Sequence, residues 1–193
     1  QYVPINEKHP LIGQSPYSAS KISADQLAIS YWRSYDYKVK IIRPFNVFGP
    51  TQSLRAIIPT IINQYLDKKT TIKLGNLNTS RDFTYVEDLC RAYFYMLKSK
   101  KFGEAYNVGT GKEYKIENII KVLNKFYKKK IKIISEKKRK RPISSEVKRL
   151  VCDYSKFRKL TNWKPKTSFE NGIEFTLQWF LENKSKYSNK YHI

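Results

Sequence analysis

Cysteine, histidine, methionine and acidic residues are all scarce in this chain, and each scarcity narrows what it can be. There are two cysteines and two histidines in 193 residues. Cys90 and Cys152 form no paired motif, and His9 and His192 stand near opposite ends, so no metal site is expected. A reduced cytoplasmic setting is the simplest expectation for so few thiols. No apolar run approaches the ~20 residues of a membrane span, so no membrane partner is expected. Gln1-Tyr2-Val3-Pro4 has neither the basic start nor the apolar stretch of a secretory leader. The one methionine is Met96, so a trimmed chain or a fragment is expected. Acids are few: 16 Asp and Glu stand against 38 Lys and Arg, a formal charge of +22. Such an excess can serve nucleic acid, an anionic membrane or an anionic substrate. Here it is almost all lysine, spread over segments rich in Ile, Asn, Tyr and Phe. That distribution fits compositional bias, and nucleic acid is not the partner expected.

What is present begins with a helix whose start is marked twice. Ser15 can cap the free backbone N–H groups, and Pro16 suits a first helical position that needs no N–H. The run continues without Gly or Pro to about Tyr35. Tyr17 and Lys21 are four residues apart and share one face of that helix. An ammonium one turn from a phenol is a plausible proton-transfer unit. Spacing alone carries little, since Tyr65 and Lys69 repeat it. The apolar residues Ile22, Leu27, Ala28, Ile29, Tyr31 and Trp32 cover more than one side, so two packing partners are expected.

The remainder has α/β grammar. Residues 1–14 read as a loop. A strand is expected over 37–42, then a loop at Arg43–Pro50, a position where open α/β sheets bind ligands. A helix over 56–66 and a strand over 70–74 follow. The segment 81–88 leads into a helix to about Ser99, with Glu87 or Asp88 supporting its first turn. A strand at 105–108 ends in Gly109-Thr110-Gly111-Lys112. That is no phosphate loop, because Tyr106 and Glu113 occupy positions needing Gly and Ser or Thr. A helix over 115–128, a strand over 131–134, a short helix over 153–160 and a last helix over 168–183 complete the pattern. The final ten residues read as frayed. Between Lys121 and Arg149, thirteen Lys or Arg face two acids. A solvated basic face is one reading; a diphosphate site at Arg139-Lys140-Arg141-Pro142 is the other.

Six motifs in order carry a resemblance. They are Tyr17-Ser-Ala-Ser-Lys21, Arg43-Pro-Phe-Asn-Val-Phe-Gly-Pro50, Arg81-Asp-Phe-Thr-Tyr-Val-Glu-Asp88, Tyr106-Asn-Val-Gly109, Arg141-Pro142 and Trp163-Lys-Pro165. The chain resembles the extended short-chain dehydrogenase/reductase family, the NAD-dependent nucleotide-sugar epimerases and dehydratases, from Gln1 to about Leu181. Gln52-Ser-x-Arg55-Ala and Arg141-Pro-x-x-Ser-Glu146-Val-x-Arg149-Leu are most similar to 4,6-dehydratases of nucleotide-linked N-acetylglucosamine, which serve legionaminic-acid and bacillosamine-type surface glycans.

The resemblance implies an α/β fold: the C-terminal part of a Rossmann-type doubly wound parallel sheet plus a small α/β substrate-binding domain. Residues 1–50 and about 84–110 would end the NAD-binding domain, and 51–83 and 111–193 would form the substrate domain. It implies that Tyr17 is the base at the sugar C4 hydroxyl and that Lys21 holds the nicotinamide ribose. The backbone at Pro44 and Val47 would face the nicotinamide. Asn46 would contact the diphosphate end of the sugar nucleotide, and Arg55, Arg81, Asn107 and Arg141 would gather around the nucleotide and its phosphates. A homodimer through the Tyr17 helix is also implied.

The family's glycine-rich dinucleotide loop is not found; Gly13 is the first glycine. The Ser or Thr and the acidic pair that drive elimination would precede Tyr17. The expectation is therefore a chain that is inactive alone and binds NAD poorly. A nucleotide-sugar 4-epimerase is the alternative within the class, and a non-catalytic basic module binding nucleic acid or another polyanion is the alternative outside it.

Overall fold

The computed structural model describes residues 2–67, 70–126, 131–136 and 146–184. Helix α1 runs Pro16–Tyr35. Ser15 caps it as the sequence predicts: its hydroxyl accepts from the Ser18 N–H at 3.2 Å, and the Ser18 hydroxyl accepts from the Ser15 N–H at 2.9 Å. Here serine plays the part that Glu or Gln usually plays in a capping box. Asp36 closes the helix in the left-handed region, φ 54°. No residue of α1 is buried. Within this chain Ile22, Ala28, Ile29 and Trp32 are half-buried, and Leu27 and Tyr31 are exposed.

The strands come in short, mostly parallel sets. Strand β1 (Ile41–Pro44) starts later than the sequence suggested. Residues 43–50, read as a loop, contain β2 (Asn46–Phe48). After helix α2 (Ile57–Leu66) and β3 (Thr71–Leu74), the segment leading into the next helix holds β4 (Ser80–Arg81) and β5 (Phe83–Tyr85). Then come α3 (Val86–Lys98), β6 (Ala105–Val108), β7 (Tyr114–Lys115), α4 (Ile116–Phe126), β8 (Lys132–Ser135), β9 (Arg149–Leu150), α5 (Ser155–Thr161) and α6 (Phe169–Glu182). Strand β1 pairs with β6, β2 with β5 and β3 with β8, all parallel. Strand β4 lies between β7, antiparallel, and β9, parallel. Parallel pairing across intervening helices is the α/β arrangement predicted. The end of the helix expected over 115–128, the basic run at 137–145 and residues 185–193 lie outside the described residues.

Two hydrophobic clusters hold these pieces. The larger packs α2, α4 and α6 against β2, β3 and β5. On α2, Ile58, Ile61, Ile62 and Tyr65 are buried. This is the i, i+3, i+4, i+7 stripe of an amphipathic helix, and burying each isoleucine stabilises by about 1.5–3 kcal/mol. The Tyr65 hydroxyl stays satisfied by donating to the Leu123 carbonyl at 3.0 Å. Helix α6 approaches β2 so closely that a Cβ at Gly172 would lie 2.6 Å from the Phe48 ring. The smaller cluster gathers Met96, Tyr106, Val108, Phe157 and Trp163 between α3, β6 and α5.

Two buried aspartates join distant segments. Asp82 accepts from Thr110 N and Oγ1, Gly111 N and Cys152 N. Burial raises its pKa, and these four hydrogen bonds oppose that rise. Asp88, in the first turn of α3, accepts from the backbone of Lys166 at 3.1 Å and Thr167 at 2.9 Å, and from Arg91. Its carbonyl accepts from the Trp163 indole at 3.2 Å.

Candidate active site

A cavity of about 440 Å³ opens where α1, β2, α2, β4 and β7 converge. That is a usual volume for a small-molecule site. Tyr17 reaches it from the first turn of α1, Asn46 and Val47 from β2, Arg55 from the turn before α2 and Arg81 from β4. Five residues named from the sequence, as much as 64 positions apart (81 − 17), thus meet at one opening. Each is placed by local structure. The Ser15 cap fixes the turn that carries Tyr17. The Gln52 amide donates to the Val47 carbonyl at 2.7 Å, folding the 49–53 turn back on β2. The Thr60 hydroxyl bonds the Leu54 and Ala56 carbonyls at 2.5 and 2.8 Å and so pins the Arg55 turn.

Lys21 does not line the cavity but stands beside it, its ammonium 5.6 Å from the Tyr17 ring centroid. Tyr17 is 72% exposed. Pro44, at the end of β1, is exposed and lies off the cavity wall. Asn107 is placed elsewhere. It is buried on β6, its backbone N–H donating to Glu7 at 2.8 Å and its amide to the Ile5 carbonyl at 3.1 Å. Arg141 lies outside the described residues.

The wall is cationic with one acid in it. Arg81 donates to the Ser80 carbonyl at 2.8 Å and to Glu146 at 3.4 Å. Both of these charged side chains are largely covered. Glu146, quoted from the sequence as part of a motif, was given no role in the site. The available signal was an acid inside a run of basic residues. Behind Arg81, Glu113 ties the β4–β7–β9 sheet together. It accepts from Arg149 through two 2.7 Å bonds and from the Ser80 hydroxyl. Arg149, then Ser80, hold its carboxyl down at about 2. Tyr114 lines the cavity floor, stacked on Phe169 with ring centres 4.0 Å apart, and burial raises its pKa. Among the described residues, no group of three His, Cys, Asp or Glu could hold a metal ion.

This arrangement brings a phenol, with an ammonium beside it, and two guanidinium groups to one cavity. It suits a ligand with a hydroxyl at one end and an anionic group at the other. Comparison with known proteins agrees. The family described as GDP-mannose 4,6 dehydratase matches residues 1–176. The chain belongs to this family.

Members and relatives span several named activities. A dTDP-glucose 4,6-dehydratase of Escherichia coli is 31% identical over 88% of this chain and 48% of its own length. A putative UDP-glucose 4-epimerase of Methanocaldococcus jannaschii is 31% identical over 94% of this chain and 58% of its own. The chain therefore spans about half the length of these relatives. Among solved structures, the UDP-glucuronic acid 4-epimerase of Bacillus cereus, in complex with UDP-glucuronic acid and NAD, matches with a TM-score of 0.86 at 28% identity. It is matched over 95% of this chain and 58% of its own. The dTDP-glucose 4,6-dehydratase of Bacillus anthracis, in complex with NAD, gives 0.82 at 29%, over 94% and 57%. The Rossmann-type α/β fold expected from the sequence is thus the fold of this family.

Proposed function

We propose that this chain belongs to an NAD-dependent nucleotide-sugar 4,6-dehydratase and supplies its base and most of its sugar-nucleotide site. The observation that carries this reading is the shared opening of Tyr17, Asn46, Arg55 and Arg81. The reaction is oxidation of the sugar at C4, loss of water across C5 and C6, and return of hydride to C6. Tyr17 takes the proton from the C4 hydroxyl. Arg55 and Arg81 hold the nucleotide and its phosphates, with Asn46 at the diphosphate end of the sugar nucleotide, and Arg141 joins them. Asn107 acts from behind, through β6. Lys21 holds the nicotinamide ribose, and the Pro44 and Val47 backbone flanks the ring. The residues present fit that part of NAD, since the exposed Tyr17 and Lys21 offer two neighbouring donors to a ribose diol. When bound, NAD supplies the reversible hydride acceptor.

The finer assignment is a UDP- or GDP-linked N-acetylglucosamine substrate, supported by the Gln52–Ala56 and Glu146–Leu150 motifs. Residues 1–50 and about 84–110 form the end of the NAD-binding domain, and 51–83 and 111–193 the substrate domain. The setting is the cytoplasm, in synthesis of cell-surface polysaccharide, as a homodimer through α1, whose Leu27, Tyr31 and Tyr35 are exposed. No helix among the described residues is long and apolar enough to cross a membrane.

A 4-epimerase is the second reading, favoured by the likeness to the B. cereus enzyme. Incubating the whole protein with NAD and UDP- or GDP-N-acetylglucosamine distinguishes the two. A product lighter by one water supports the dehydratase, and an isomer of unchanged mass supports the epimerase. If neither forms and DNA binds in a strongly salt-dependent manner, the chain is a polyanion-binding module.

A further inference from the structure

Helix α1 carries both Tyr17 and Lys21, yet none of its residues is buried. Within this chain, contacts short of full burial must fix where that face points. Near its C-terminal end the Trp32 ring lies against Phe102, with centres 5.9 Å apart. The ring also covers Gly103 so closely that a Cβ there would lie 2.1 Å from it. That contact is one fixed point. Tyr17 is fifteen residues away, about 22 Å along the helix at 1.5 Å per residue. A tilt of only about 3° about Trp32 would shift Tyr17 by about 1 Å on that lever.

The second fixed point is Asp25. Its Oδ2 accepts from Arg43 Nε at 2.6 Å, and both side chains are 21% exposed. Among the described residues, it is the one α1 side chain hydrogen-bonded to another element. Asp25 lies four residues beyond Lys21 and eight beyond Tyr17, so all three share a face of the helix. Arg43 is on β1, three residues before Asn46, and β1 is held by its register with β6. A short charge-assisted bond therefore joins the Tyr17–Lys21 face to the strand that leads into the cavity.

We infer that Asp25 and Arg43 are a positioning pair that sets Tyr17 and Lys21 against the Asn46–Val47 wall of the cavity. This rests on the proposed role of Tyr17 as base. Neither residue lines the cavity, so the pair acts on the placement of the proton acceptor and leaves the anchoring of the sugar nucleotide alone. Misplacing a reacting group by about 1 Å costs about 100-fold in rate.

The test has two arms. In the whole enzyme, Asp25→Asn keeps the shape and removes the charge. It should lower kcat by about 10- to 100-fold, with KM for the nucleotide sugar nearly unchanged. Asp25→Glu should recover most of the rate, and the exchanged pair Asp25→Arg with Arg43→Asp should do better than either single change. Unchanged kcat in Asp25→Asn, or a loss confined to KM, overturns the inference. The second arm needs no turnover. Amide hydrogen exchange on this chain should quicken over residues 16–24 in Asp25→Asn and stay as it was over 86–98. No change over 16–24, or an equal change in both, overturns the anchor. Should the unaltered protein turn over no nucleotide sugar, the functional reading falls, and the exchange arm still decides the pair.

Discussion

The Lys21 ammonium stands 5.6 Å from the centre of the Tyr17 ring, one helical turn further along α1. The pair overhangs the cavity that Asn46, Arg55 and Arg81 line. If Tyr17 is the base, Tyr17→Phe in the whole enzyme should cut turnover by about 10²- to 10⁴-fold, with nucleotide-sugar affinity kept. Lys21→Met should lower the rate and weaken NAD binding together. Steady-state kinetics and calorimetric titration check both, and near-normal turnover in Tyr17→Phe rules out the assigned role.

Arg81 is held by the Ser80 carbonyl and by Glu146 at the cavity wall. Its arm is therefore ordered before any ligand arrives. Arg81→Ala should weaken binding of UDP or GDP sugars by about 10- to 100-fold, the usual size of a hydrogen bond to a charged group. Lys would restore charge without the forked geometry and should recover only part. An unchanged dissociation constant in Arg81→Ala would place the diphosphate elsewhere.

Asp88 ties the start of α3 to the backbone of Lys166 and Thr167 and pairs with Arg91. Asp88→Ala would leave those donors facing a covered space. It should destabilise the fold by about 3 kcal/mol. Thermal denaturation followed by circular dichroism checks this, and an unchanged midpoint would show that water replaces the carboxylate at no cost.

Glu113 gives a pH dependence of known sign. Its folded-state value of about 2 lies below the ordinary 4.5 because Arg149, then Ser80, stabilise the carboxylate. The unfolded chain takes up this proton first. The stability from Glu113 is therefore complete above about pH 4.5 and is lost as pH falls toward about 2. Glu113→Gln should flatten the acid side of the stability curve in that window. An identical curve for the variant would mean that the exposed Arg149 pair is screened away.

Much of the helical framework was legible because its signals are local. Ser15-Pro16 and Ser168 announced helix starts, and Ile57, Ile58, Ile61, Ile62 and Tyr65 marked an amphipathic face, of which all but the half-buried Ile57 are buried. Strand β2 was missed inside a stretch read as a loop, and β4 and β5 in a segment given no secondary structure. At two or three residues each they are too short to show alternation, and parallel pairing defines them. The apolar faces of α1 declare a preference for cover that this chain alone meets only by half. Tyr17, Asn46, Arg55 and Arg81, drawn from separate motifs, line one cavity. Asn107 lies off the cavity because its partners, Ile5 and Glu7, are a hundred residues away. The clasping roles of Asp82 and Asp88 were hidden likewise, since their partners lie as far as 70 and 79 positions along the chain.

The uncovered state of α1 has a consequence for how the molecule would fail. An element with few buried contacts opens at a small fraction of the free energy needed to unfold the whole. As denaturant is added, the face bearing Tyr17 and Lys21 should be lost while the sheets and the α2–α4–α6 core stand. Amide exchange over residues 16–35 of this chain would then quicken at denaturant concentrations below the one that halves its circular dichroism signal.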